Sequence, residues 1–150
     1  MQGTGVFGQY ADVQLSLASV VPSSANPEWT ALSDSHRVTF YIHALNATTV
    51  TGSAITLAQA TDSAGTGTKA LGMTKAWTRT GGSGAWTEVA VASDTFTIAS
   101  TDNLETEYLI EVDEAELDIA NDFDYARVVP ANATAQTITL MAIKWPLRYS

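Results

Sequence analysis

The sequence predicts an all-β protein: an antiparallel β-sandwich or jelly-roll-like single domain with an extended N-terminal arm. Threonine, alanine, valine and serine dominate the composition, and helical runs of Leu, Glu and Lys are missing. Short segments alternate between apolar and polar residues, and turn-forming clusters separate them. A chain of 150 residues is large enough for one domain with its own core. We expect residues 1–12 to form the arm and residues 13–150 the sandwich.

The clearest alternation lies in residues 37–44, where Val38, Phe40, Ile42 and Ala44 share one face. A period of two with one apolar face is typical of a half-buried strand. The same reasoning predicts strands at residues 13–17, 54–59, 94–99, 107–112, 125–129 and 136–145. A short helix is expected at residues 113–118, where early carboxylates favour the amino end of a helix.

Two of these strands depart from a simple inward and outward pattern. In residues 107–112, Leu109 falls on the same face as the two glutamates. In residues 136–145, the face of Ile138 and Leu140 is opposed by a second apolar face. That second face consists of Met141, Ile143 and Trp145. A strand that is apolar on both sides is either central in the fold or covered by a partner.

Composition and charge exclude several classes of function. The net charge is −9, and the seven basic residues are scattered, so direct binding of nucleic acid is not expected. No segment approaches 18 uninterrupted apolar residues, and the first 17 residues lack the features of a signal peptide, so no membrane association is expected. The absence of cysteine excludes disulfides and thiol nucleophiles.

The segment QATDSAGTGTKAL, residues 59–71, has the residue types of a phosphate-binding loop. A P-loop needs Gly-Lys followed by Ser or Thr and then a helix, but here Thr68 separates Gly67 from Lys69. The segment is therefore interpreted as a turn between strands, and no nucleotide or other cofactor is expected.

The acidic stretch of residues 102–124 holds ten of the sixteen carboxylates. Its spacing does not fit an EF-hand, although a looser calcium site at Asp118, Asp122 and Asp124 stays open. A pair of carboxylates acting as a hydrolase also stays open, since such a pair has no sequence spacing. We prefer to interpret the acidic residues as the solvent-exposed edge of a strand and the start of a helix. No metal site or catalytic residue is assigned.

Trp77 and Trp86 flank the glycine-rich turn of residues 80–84, as if on facing strands of a hairpin. Buried tryptophans would be core or subunit contacts, whereas exposed ones would stack on sugar rings. Core or subunit contact is preferred, and a carbohydrate-binding sandwich is the alternative.

The chain resembles the small structural proteins of tailed bacteriophages that decorate or cement the capsid. The resemblance rests on residues 38–42, 55–71, 108–118, 124–128 and 146–149. It covers roughly residues 36–149 and leaves out the N-terminal portion. It implies an all-β protein, usually trimeric, that binds the outer surface of the major capsid protein shell, stabilises it and is not an enzyme.

These expectations lead to a hypothesis of function by association, on the outer surface of the virion capsid. The apolar second face of Met141, Ile143 and Trp145 would join copies of the protein into an oligomer, for which a homotrimer is expected. The arm, through Val6, Phe7 and Tyr10, would lie on the capsid shell. A head–tail or tail component of the virion is an alternative with a similar sandwich.

Overall fold

The computed structural model of the chain describes residues 12–20, 22, 26–48, 51–101, 103–131 and 135–146. It confirms the all-β prediction, with two antiparallel sheets packed against each other. The described residues form eleven strands: β1 (Asp12–Val20), β2 (Thr30–Ala31), β3 (Ser35–Asn46), β4 (Ala54–Ala60), β5 (Lys69–Leu71), β6 (Ala76–Thr80), β7 (Thr87–Val89), β8 (Phe96–Thr97), β9 (Glu105–Asp113), β10 (Tyr125–Pro130) and β11 (Gln136–Pro146).

The larger sheet has six strands in the order β1-β11-β3-β9-β6-β7. The smaller sheet has the order β2-β10-β4-β5, and β8 pairs with β4 beside β5. The longest strands, β3 and β11, pair side by side near the centre of the larger sheet, from Gln136 opposite Asn46 to Lys144 opposite Val38. Every pairing between the described strands is antiparallel, so no two paired strands need a crossover helix to join them.

The core lies between the two sheets and follows the predicted alternation. On β3, the four predicted inward residues are all fully buried: Val38, Phe40, Ile42 and Ala44. The predicted inward residues of the other strands are buried as well: Ile55, Leu57, Phe96, Ile98, Tyr108, Ile110 and Val112. Burial of these side chains is the main favourable contribution to folding, at about 1.5–3 kcal/mol for each large aliphatic or aromatic residue.

A buried polar network closes one end of the sandwich. The amide of Gln136 accepts a hydrogen bond from the backbone N–H of Ser53 at 3.1 Å and donates one to Asn46 Oδ1 at 2.7 Å. Asn46 Nδ2 in turn donates to the carbonyl oxygens of Ala99 and Thr101, both at 2.8 Å. Gln136 is fully buried, and its amide connects β11 to β3 and to the loop that carries Ser53.

The single short helix expected at residues 113–118 is not observed. The structure has instead two 3₁₀ helices of three residues each, Glu114–Glu116 and Ile119–Asn121. The capping box that begins the first of them joins Asp113 and Glu116, whose side chain accepts from the Asp113 N–H at 2.8 Å. Within the described residues, no helix has the length and apolar character needed to cross a bilayer.

Candidate functional site

The outer face of the six-stranded sheet is the candidate site, and β11 shows how the sequence builds it. Residues of β11 that point to the core alternate with Met141, Ile143 and Trp145, each of which is half-buried. The structure therefore places these three predicted residues together on the face that points away from the second sheet. The indole N–H of Trp145 donates to Thr39 Oγ1 at 2.9 Å, which fixes this ring against β3.

The apolar character continues across four neighbouring strands. Met141 lies opposite Tyr41, Tyr41 opposite Leu109, and Leu109 opposite Trp77. We call these four residues the outer-face row. All four are half-buried, and directly opposed residues on one face of an antiparallel sheet lie within side-chain contact distance. Leu109, which did not fit the predicted pattern of its strand, therefore belongs to a second apolar surface.

A carboxylate with two protein donors lies beside the outer-face row. The Tyr41 hydroxyl donates to one oxygen of Glu107, and Arg79 Nε donates to the other. The side chain of Glu107 is only 8% exposed. The Arg79 guanidinium is the main reason that the pKa of Glu107 is below its usual range. Burial, together with the hydrogen bond to this carboxylate, raises the pKa of Tyr41 to about 12. The negative charge of Glu107 is therefore balanced by Arg79, and the three side chains form a cluster with a structural role.

The predicted tryptophan hairpin exists as β6 and β7, but its two rings do not face each other. Trp77 lies opposite Glu88, while the ring of Trp86 is covered by the Arg79 guanidinium, whose central carbon lies 4.7 Å from the ring centroid. Both rings are half-buried, and the residues of the buried core include no tryptophan among the described part of the chain. The interpretation of these rings as core residues is therefore wrong, and contact with another molecule stays a prediction.

Charged pairs border the outer-face row. Arg37 donates to Asp113 at 2.6 Å and lies 3.5 Å from Glu111, and His43 bonds Glu105 at 2.6 Å. An apolar centre with a polar border is the usual anatomy of a protein interface.

The acidic stretch does not form the possible calcium site at Asp118, Asp122 and Asp124. Asp118 accepts hydrogen bonds from Lys69 and from Asn121 Nδ2, the latter at 2.9 Å. The bond from Lys69 is the main cause that lowers the pKa of Asp118. Across the described residues, no three His, Asp or Glu side chains are grouped closely enough to hold a metal ion.

The glycine-rich segment forms the β4–β5 loop, as predicted. Asp62 Oδ1 accepts from the backbone N–H groups of Ala64 and Thr66, both at 2.9 Å, which folds the loop on itself. A hydrogen bond from the Thr66 side chain, followed by the one from its backbone N–H, is the main cause that lowers the pKa of Asp62. The loop is therefore held by its own side chains and ends in β5 instead of the helix that a P-loop requires.

Sequence reasoning missed a pocket beside this loop. The pocket has a volume of about 440 Å³ and lies between residues 26–29, residues 63–64 and Arg127. The Arg127 guanidinium covers the ring of Trp29 at 4.4 Å. The available signal was Arg127 itself, the only basic residue between Arg79 and Lys144 in the sequence.

The predicted capsid contacts Val6, Phe7 and Tyr10 lie outside the described residues, as does the arm apart from Asp12. Asp12 begins β1, opposite Lys144. The role of the arm stays a prediction.

Comparison with known proteins shows the fold. No protein-family model matches the sequence, and no curated protein matches it significantly. The chain is similar to a solved structure, the crystal structure of the SPBc2 prophage-derived protein YomS, with a TM-score of 0.50 and 12% sequence identity. The similarity covers 89% of this chain and 91% of that one, so it extends over the whole sandwich rather than one hairpin.

Proposed function

We propose that this chain is a structural component of a tailed-bacteriophage particle, a capsid decoration protein that binds the outer surface of the major capsid protein shell and stabilises it as an oligomer. The similarity of its fold to a protein described as prophage-derived supports a phage origin. The sequence resemblance to decoration proteins supports the choice of class.

The outer-face row is the observation that carries the proposal. A monomer that works alone has no need for Met141, Leu109 and Trp77 in a line on the face opposite the core. Tyrosine, tryptophan and methionine are the residue types that interfaces concentrate at their centres. The row thus supplies an apolar, partly rigid surface for association between copies or with the shell.

The mechanism would be adhesion of a preformed flat surface. The Tyr41, Glu107 and Arg79 cluster holds its side chains in place before association, so little side-chain entropy is lost on binding. Many identical sites on a shell then raise the overall strength of attachment through avidity, even where a single contact is weak.

Sedimentation of the purified protein and its binding to empty shells of the phage that encodes it test the proposal. Leu109→Glu introduces a charge into the centre of the row, and Ile119→Glu is the matched control. Ile119 is 47% exposed and lies on a 3₁₀ helix next to Asp118, which bonds Lys69 on β5 of the smaller sheet. We expect oligomeric wild-type protein that binds shells, loss of assembly or shell binding in Leu109→Glu, and no change in Ile119→Glu.

A monomeric wild-type protein that does not bind shells, or equal behaviour of both variants, would contradict the proposal. The number of copies per particle is an independent measurement. Hundreds of copies support shell decoration, whereas a dozen or fewer would replace it with a head–tail component.

A further inference from the structure

We infer that the outer-face row docks on a surface of the capsid shell whose apolar centre is bordered by lysine and arginine side chains. Under this inference, which rests on the proposed function, the row binds the shell and does not join two copies of the chain. The inference follows from the charge around the row, where carboxylates outnumber cations. It concerns the outer face of the larger sheet alone.

Strand β9 places carboxylates on both sides of the row. Alternate residues of a strand share one face, so the residues of β9 that accompany Leu109 on the outer face are all acidic: Glu105, Glu107, Glu111 and Asp113. Two of them precede Leu109 and two follow it. A fifth carboxylate belongs to Glu88 of β7, which is exposed and lies opposite Trp77 at the end of the row. The row is therefore an apolar strip inside an acidic border.

The cations of this face are too few to balance these carboxylates. Arg37 of β3 and Arg79 of β6 lie opposite acidic residues of β9. Lys75, which is exposed immediately before β6, is counted as a third cation. Five carboxylates against three cations leave a surplus of two negative charges while His43 is neutral.

The other lysines and arginines of the described segments do not add to this face. Lys69 and Arg127 belong to β5 and β10 of the smaller sheet. Lys144 lies opposite the buried Val38, on the core side of β11, and donates to Asp34 at 2.6 Å. The surplus of negative charge on the outer face therefore has no balancing cation elsewhere in the described part of the larger sheet.

Two of the carboxylates have unused hydrogen-bond acceptors. Glu88 forms no hydrogen bond or ion pair with any described residue. Glu111 lies 3.5 Å from Arg37, whose guanidinium is 2.6 Å from Asp113. An ionised carboxylate has about four acceptor sites, so Glu88 and Glu111 can both bind a cation of a partner without losing their present contacts. Lysine or arginine side chains of a partner thus find acceptors beside the row.

A second copy of the chain does not fit this charge pattern. Two copies placed face to face about the row bring two acidic borders together. Because β9 carries two carboxylates on each side of Leu109, these groups meet whether the second β9 runs in the same or in the opposite direction. Like charges that face each other act against a partner, and the net charge of −9 adds repulsion between copies.

The acidic border also disfavours partners that are rich in phosphate. Nucleic acid and anionic lipid surfaces carry the same sign of charge as this face. The apolar strip needs an apolar counterpart, and protein interfaces combine an apolar centre with a polar border. The strip and the charge together match a protein surface that is apolar at its centre and basic around it.

Cosedimentation with empty shells of the phage that encodes the protein tests the inference, together with the sedimentation coefficient of the free protein. We expect L109E to lose shell binding while its oligomeric state stays that of the wild type. Shell binding of the wild type should weaken about tenfold or more between about 50 mM and about 300 mM NaCl, since salt screens exposed charges.

E88Q and D122N form a matched pair, because each replaces one exposed carboxylate by its amide. Asp122 ends the 3₁₀ helix that follows Asp118, which bonds Lys69 of the smaller sheet. We expect shell binding to be about two- to fivefold weaker for E88Q at about 50 mM NaCl, and unchanged for D122N. E88K reverses the charge and should weaken binding further than E88Q does.

The inference fails, with the proposed function intact, if L109E turns an oligomeric wild type into monomers, because the row then joins copies. It fails in the same way if salt does not weaken shell binding, or if E88Q and D122N bind shells equally. A wild-type protein that does not bind shells overturns the inference and the proposed function together. Should L109E be unfolded by circular dichroism, E88K takes its place. Weaker shell binding by E88K then supports the inference, and unchanged binding overturns it.

Discussion

Replacing Gln136 by leucine should destabilise the sandwich strongly, although leucine is apolar and the site is fully buried. The substitution keeps most of the side-chain volume but removes the partners of the Ser53 N–H and of Asn46 Oδ1. An unsatisfied buried polar group costs about 1–3 kcal/mol, so two of them give about 2–6 kcal/mol. That is a large part of the total stability of about 5–15 kcal/mol that is usual for a domain.

Urea unfolding followed by circular dichroism measures this loss as a change in the free energy of unfolding. Thr137→Leu is the matched control, because Thr137 is the next residue of β11 and lies half-buried on the opposite face. We expect a change of less than about 1 kcal/mol for the control. A loss of less than about 1 kcal/mol in Gln136→Leu would refute the reasoning, since it would mean that the two polar groups find other partners or water.

Three further predictions follow from the core, the outer face and the loop. Phe40→Ala should lower the free energy of unfolding by about 3–5 kcal/mol in the same urea assay, because the ring is fully buried; a loss below about 1 kcal/mol would contradict this. Arg79 lowers the pKa of Glu107, so this carboxylate stabilises the fold above its usual pKa of 4.5 and loses that effect as the pH falls through the lower folded value. Glu107→Gln should therefore flatten the dependence of melting temperature on pH below 4.5, and an unchanged slope would exclude the pair as its cause. Gly65→Ala should shift the fluorescence of Trp29, since the added methyl group displaces the indole, and an unchanged spectrum would show that the loop yields instead.

The part of the fold that could be predicted from the sequence is the part with a strict period of two. Phe40 and Ile42 are buried as predicted, because strand pleating forces alternate side chains to one face. The short strands β2 and β5 were missed, since two or three residues carry no measurable period. They form because longer neighbours offer free backbone groups, which depends on tertiary structure rather than local sequence.

The candidate surfaces also differ in how far they could be predicted from the sequence. Met141 could be assigned to a second apolar face because it lies on one long strand with a visible pattern. The Trp29 and Arg127 pocket could not, because its parts come from separate segments that meet only after the sheets are paired. Leu109 is an intermediate case, visible as an irregularity but explained only by the register of β9 with β3 and β6.

The pairing of β1 with β11 determines where additions to this protein would emerge. Asp12 lies opposite Lys144, so the polypeptide enters the first strand at the corner where it leaves the last one. A peptide inserted directly before Asp12 or directly after Pro146 would consequently start from a single corner of the sandwich. Peptides inserted at these two points would then be shielded together, or displayed together, on any lattice that holds the protein in one orientation.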